Sequence, residues 1–219
     1  MKEYQKSKLN RVKRGANRAT YDVEKINNIL DAGFIGYVSY IFQEKAISIP
    51  MAYGRNGNKI YLHGSQANRM LTSLLEAKEM SMTVMHLDAL VLARSGFHHS
   101  VNYRSATIFG NAKNIEDKKE KMAGLICFME HMMPGRWDGV REMNQEEFDR
   151  TLVVEMEIET ASAKIRDVGV SDEPEDINLP VWAGLMPIKQ VAEYPIPDKD
   201  LPTDIEIPKH VLDYYHTNK

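Results

Sequence analysis

The stretch TLVVEMEIET, Thr151 to Thr160, sets Leu152, Val154, Met156 and Ile158 on one side of an extended chain and Glu155, Glu157 and Glu159 on the other. A period of two suits a strand with one dry face and one wet face, the usual condition of an antiparallel sheet. The three glutamates are therefore expected on a solvated face. Partner strands are available. FIGYVSYI and KAISIPMAY are divided by a polar turn, and KIYLH follows the loop GRNGNK, where Asn56-Gly57 is a hairpin signal. MSMTVMHL, ALVLA and YRSATIFGNA add further runs rich in β-formers.

Helical spacing interrupts these runs. Thr20 is expected to cap a first helix, with Asp22 and Glu24 at its positive end, Ile26, Ile29 and Leu30 inward and Gly33 ending it. A second helix follows Gly64-Ser65, buries Met70, Leu71, Leu74 and Leu75, and stops near Ala77. A third, capped by Asn114, is predicted from Ile115 to Met132 with Met122, Leu125, Ile126 and Met129 inward, until Pro134-Gly135 breaks it. Asn144 opens a shorter one, QEEFDR. Short strands with hairpin signals and few helices do not make βαβ units. They predict a mainly β (α+β) fold, a small antiparallel barrel with helices packed outside.

Composition sets outer bounds. With 219 residues, 43% hydrophobic, the chain can bury a core without disulfides or metal. The single cysteine, Cys127, excludes an internal disulfide framework and fits a reducing cytoplasm. No apolar run approaches the roughly 18 residues of a membrane span, and the first residues carry no secretory apolar core. A net charge of −3 implies no preference of the whole molecule for nucleic acid. Lys2, Lys6, Lys8, Arg11, Lys13, Arg14 and Arg18 nevertheless make residues 1–19 a basic arm, expected to be solvated or to lie across a neighbouring subunit. Residues 20–170 form the barrel domain. From 171 to 219 the chain turns to Pro, Asp and Glu around one apolar island, LPVWAGLMPI, expected to pack on the barrel or on the partner subunit.

Two stretches carry chemistry. In KIYLHGSQANRML, Gly64 permits a tight turn and Ser65 stands where it would cap the helix, whose free N–H groups favour an anion, most often a phosphate. Arg69, four residues on from Ser65, would share its face and add a charge-assisted contact, and His63 ends the strand beside it. The same residues also suit an ordinary helix start. The glycine-rich nucleotide loops are absent.

The second stretch, LVLARSGFHHSVNYRSATIFG, places His98, His99, Ser100, Asn102, Tyr103, Arg104 and Ser105 at a bend between apolar runs. Neighbouring His98 and His99 point to opposite faces of an extended chain, and no third ligand stands at a telling spacing, so no metal site is assigned. A haem needs only one exposed His and stays open as a rival. Cys127 and His131 are four apart on a helix, but Cys127 falls amid an apolar stripe and reads as core filling. No G-x-S-x-G motif appears. With no protein-borne nucleophile or acid–base pair in view, a bound cofactor is the expected carrier of the chemistry.

Taken in order, YLHGS with NRML, LVLARSGFHHSVNYRS, HMMPGRW, ASAKIR and LPVWAG resemble the FMN-binding split-barrel family of the pyridoxamine 5'-phosphate oxidases, and more nearly its branch related to nitroimidazole-resistance proteins. The resemblance implies a homodimer of six-stranded antiparallel split barrels with FMN in a groove where the subunits meet. It implies that His63, Gly64, Ser65 and Arg69 hold the FMN phosphate and that Asn102, Tyr103, Arg104 and Ser105 approach the cofactor from the next strand. Pro50, Met51 and Ala52 would run along the isoalloxazine edge, and Trp182 would cover the flavin or substrate from the partner chain. The basic residues that hold the oxidases' own substrate have no counterpart here, so that substrate does not carry over.

The expectation is therefore a cytoplasmic FMN-binding oxidoreductase that passes electrons from a reduced nicotinamide donor to a small, flat acceptor. His99 and Tyr103 are its candidates for proton supply. The alternative is a flavin- or haem-binding carrier or sensor without turnover. A small-molecule substrate is expected, and neither nucleic acid nor a membrane.

Overall fold

A computed structural model of the chain describes residues 2–219. These residues form nine strands: β1 (Ala19–Thr20), β2 (Ile35–Phe42), β3 (Lys45–Ala52), β4 (Gly54–Asn56), β5 (Lys59–Ser65), β6 (Glu79–Leu92), β7 (Ser100–Asn114), β8 (Thr151–Arg166) and β9 (Gly184–Pro187). They form one sheet in the order β3-β2-β6-β7-β8-β5-β4, with β1 added beside β8 and β9 beside β6. The barrel was expected to have six strands. The three extra ones, β1, β4 and β9, are the shortest at 2, 3 and 4 residues, too brief for a clear period in the sequence. MSMTVMHL and ALVLA are one strand, β6, because Asp88 between them continues the extended chain rather than turning it.

Among the described residues five α-helices accompany the sheet: α1 (Val23–Asp31), α2 (Arg69–Ala77), α3 (Lys118–Met132), α4 (Gln145–Arg150) and α5 (Lys209–Asn218). Their caps differ from the expectation at three starts. Asp22 rather than Thr20 accepts from the backbone of Lys25 at 2.8 Å, Asn68 rather than Ser65 from Leu71 at 3.1 Å, and Asp117 rather than Asn114 from Lys119 and Glu120. Asn144 does cap α4, in a reciprocal capping box with Glu147. Among the described residues no helix is long and apolar enough to cross a membrane.

Backbone contacts divide the chain into two compact units. One comprises Met1–Ala32, Met82–Ile108 and Thr160–Lys189, and its core gathers Ile26, Ile29, Leu30, Met82, Val91, Ile108 and Ala161. Its basic arm is tied down by Asn10, 2% exposed, whose amide donates to Gln5, Thr160 and Ala161.

The other unit comprises Gly33–Ser81, Phe109–Glu159 and Gln190–Lys219. Here β2 and β3 pair through a two-residue turn in which Gln43 and Glu44 both adopt positive φ, the geometry that matches strand twist. Helix α3 lies on β5 and β8 through Gly124, where a Cβ would stand 3.1 Å from Tyr61 and 3.3 Å from Val153. That coverage corrects the picture of β8 as half wet. Leu152, Val154, Met156 and Ile158 are buried as expected, but Val153 and Glu155 on the opposite face are buried too. Glu157 and Glu159 remain in solvent. Helix α3 itself buries Lys121, Gly124 and Leu125, while Ile126 and Met129 are only half-buried. The Lys121 ammonium reaches the Phe148 carbonyl at 2.6 Å, which satisfies the charge it brings inside. Cys127 packs beside the cluster of Tyr61, Leu125 and Val153, and burial pushes its thiol up.

Candidate functional site

Strand β5 ends in His63-Gly64-Ser65, and α2 begins four residues later at Arg69. Gly64 lets the capping residue close in, since a Cβ there would meet Asn68 Nδ2 and Leu71 Cδ1 at 3.1 Å. Because Asn68 makes the cap, the Ser65 hydroxyl stays exposed and has no hydrogen-bond partner among the described residues. Ser65 belongs to the strand, so its presumed helical alignment with Arg69 does not hold; Arg69 is the first residue of the helix.

His63 is half-buried. Its ring meets Phe128 edge to face at 4.2 Å, and its Nδ1 is buried with no hydrogen-bond partner. Burial lowers its pKa from 6.5, which favours a neutral ring. Arg69 has no carboxylate partner among the described residues. Its guanidinium lies 4.6 Å from the centre of the Phe42 ring and 3.4 Å from the Tyr40 hydroxyl. An arginine held on an aromatic platform with no acid nearby is free to meet an anion. The junction thus offers an orphaned buried imidazole nitrogen, an acid-free guanidinium, a free hydroxyl and the open N–H groups of α2. Tyr40, Phe42 and Phe128 were not singled out in the sequence, where they read as ordinary strand and helix residues; Asn68 had a signal, as Asn is a preferred cap.

Pro50, Met51 and Ala52 lie in the same unit on β3, opposite Tyr37, Gly36 and Ile35. Strand β3 ends the sheet order, so one side of its backbone lacks a strand partner, and a proline is tolerated there.

The residues of the polar bend fall in the other unit. Asn102 is 2% exposed and fully used: its amide donates to the Val168 carbonyl at 3.0 Å and its oxygen accepts from Arg166. Arg104 grips Asp88 through two parallel bonds of 3.0 and 2.8 Å. Tyr103 and Ser105, half-buried, keep their hydroxyls uncommitted among the described residues. His99 is exposed, and its Nδ1–H donates to the Ser95 carbonyl at 2.8 Å, which leaves Nε2 without a described partner. His98 approaches Glu173 at 3.4 Å. Trp182 is 67% exposed. Among the described residues no three His, Cys, Asp or Glu side chains converge as metal ligands.

The profile of the family described as Pyridoxamine 5'-phosphate oxidase matches residues 22–165. Among solved structures, the flavocytochrome Anf3 from Azotobacter vinelandii is 34% identical, with 95% of this chain and 97% of that chain covered at a TM-score of 0.89. The FAD and heme binding protein from Mycobacterium smegmatis is 28% identical, with 90% and 97% covered at a TM-score of 0.86. A structure from Bacteroides thetaiotaomicron, described as a 5-nitroimidazole antibiotic resistance protein, shares the fold at 20% identity, 67% and 86% coverage and a TM-score of 0.59. No curated protein matches the chain.

Proposed function

The chain belongs to the pyridoxamine 5'-phosphate oxidase family, and we propose that it is a flavoprotein oxidoreductase that holds FMN and passes electrons from a reduced nicotinamide donor to a small, flat acceptor. The observation that carries this reading is the buried, unpartnered Nδ1 of His63 in the same junction as the acid-free guanidinium of Arg69. A phosphate monoester satisfies both, and the hydroxyl of Ser65 adds a further donor. FAD carries the corresponding phosphate as half of its diphosphate, so the name of the M. smegmatis relative is compatible with the same anchor. The free backbone edge at Pro50, Met51 and Ala52 is the proposed rest for the flavin ring.

When bound, the flavin supplies the redox chemistry; the protein binds it, orients it and delivers protons. His99, whose Nε2 has no described partner, and Tyr103, with a free hydroxyl, are the proposed proton carriers. Asn102 and Arg104, already committed to Arg166 and Asp88, have less to offer a ligand than Tyr103 and Ser105. A homodimer is part of the proposal. Ile35, Tyr37 and Ile41 form the outward face of β2 at 45%, 49% and 64% exposure, an apolar strip that a second subunit would cover. Half-buried Cys127, the one thiol, supports residence in the cytoplasm.

A second reading adds haem, on the strength of two relatives that cover at least 90% of this chain, one named a flavocytochrome and the other an FAD and heme binding protein. His99 would be the residue to hold the haem iron: its Nδ1–H is fixed on a carbonyl, the arrangement that orients a ligating imidazole.

The test is a visible spectrum of the purified protein followed by anaerobic titration with NADH or NADPH. Flavin bands that bleach with donor uphold the first reading. A Soret band lost in His99→Ala and restored by added imidazole upholds the second. Ser65→Ala with Arg69→Ala is expected to weaken flavin binding by about tenfold or more, in line with loss of a charge-assisted contact. Unchanged affinity in that variant rules out the phosphate site, and a colourless protein that takes up neither group ends both readings.

A further inference from the structure

The basic arm borders an open hollow of about 580 Å³, a size suited to one nucleotide. Lys6, Arg11 and Lys13 line it with Val12, Tyr21 and the lone carboxylate of Glu3. None of the three cations is in an ion pair with any described residue, and Lys6 instead rests 4.9 Å above the Tyr21 ring. A fourth cation stands near: a Cβ on Gly15 would meet Lys164 Nζ at 3.7 Å.

The arm is built rather than loose. Asn10 pins its turn with bonds to Gln5, Thr160 and Ala161, and the Tyr21 hydroxyl accepts from the Val12 backbone at 3.0 Å. Three like charges bordering one hollow give it a positive potential that favours an anion.

We infer that this hollow binds the di- or polyphosphate of a nucleotide, with Lys6, Arg11 and Lys13 on the phosphates and the Tyr21–Val12 wall against the organic part. The concave shape and small volume favour a small molecule over a nucleic-acid backbone, which would need an extended track of charge. Two sources share the required chemistry: the ADP half of a flavin dinucleotide, and a separate nucleotide such as the electron donor. The inference does not depend on the flavin reading.

Calorimetric titration of ADP into the purified full chain, with pyrophosphate and adenosine as separate probes, tests it. ADP and pyrophosphate are expected to bind saturably and adenosine far more weakly. Arg11→Ala and Lys13→Gln are each expected to weaken ADP about tenfold with an unchanged melting temperature, since both side chains are exposed. ADP displaced by FAD but not by FMN assigns the site to a flavin dinucleotide; ADP displaced by neither assigns it to a separate nucleotide, and both uphold the inference. Absence of ADP binding, equal affinity in the variants, or duplex DNA bound more tightly than ADP overturns it. Each of those results leaves the flavin spectrum and its Arg69 dependence untouched.

Discussion

The imidazole of His63 meets the ring of Phe128 edge to face, 4.2 Å between centroids, with Nδ1 buried and unpaired. Burial depresses its pKa from 6.5, so the unfolded chain takes up a proton here more readily than the folded one. The stabilising balance is complete above about pH 6.5 and is lost as pH falls through the lowered folded value. Melting curves from about pH 7.5 down to about pH 5 are expected to show this loss, and His63→Gln is expected to flatten it. An unchanged slope in the variant would place the protonation elsewhere.

Asn102 is a structural residue by its bonds, whatever else it does. Asn102→Ala leaves the buried Arg166 side chain without its amide acceptor and frees the Val168 carbonyl. The expected cost is about 2–3 kcal/mol, since the stranded donor is charged. For a chain of this length that lowers the melting temperature by roughly 4–10 °C, readable by circular dichroism.

Glu155 sits between Lys59, at 3.0 Å, and Lys113, at 2.8 Å, with its side chain 5% exposed. Burial pushes its pKa up, but the two ammonium groups outweigh that and hold it below the ordinary value. Its charge acts in turn on Tyr61, whose phenol is pushed up to about 12 by burial first and then by the Glu155 carboxylate. A tyrosinate absorbance titration is expected to show one phenol ionising last. In Glu155→Gln that phenol is expected to titrate earlier, because the negative neighbour has gone.

Two glycines separate steric need from conformational need. A Cβ on Gly110 would stand 1.9 Å from the Glu157 carbonyl oxygen, so Gly110→Ala must force β7 away from β8. A loss of about 3 kcal/mol or more is expected. Gly57 has φ +58° and nothing within 4 Å, so Gly57→Ala meets only left-handed strain, about 1 kcal/mol. Chemical denaturation of the pair measures the contrast.

The strands that carry this fold are written in the chain itself. The apolar face of β8, the start of α4 at Asn144 and the end of α2 at Ala77 need only local periodicity and turn chemistry, and the structure has them; the hairpin signalled by Asn56-Gly57 also forms, with Gly57 and Asn58 as its turn residues because Asn56 pairs with Lys59. The helix starts were harder. At each of three N-termini two capping residues stand within three positions, Thr20 or Asp22, Ser65 or Asn68, Asn114 or Asp117, and such caps differ by less than about 1 kcal/mol.

The proposed anion site at HGSQANR rests on backbone donors and one arginine that are visible in the sequence, but the platform of Tyr40 and Phe42 beneath Arg69 is not, since it comes from a different strand. The burial of Glu155 was equally hidden. By itself the sequence determined which residues alternate along each strand, a property of neighbours in the chain. Only the tertiary structure decided which faces are covered, because burial depends on what lands on them from far away in sequence: α3 brings Gly124 onto Tyr61 and Val153, and Lys59 and Lys113 then make a buried carboxylate tolerable.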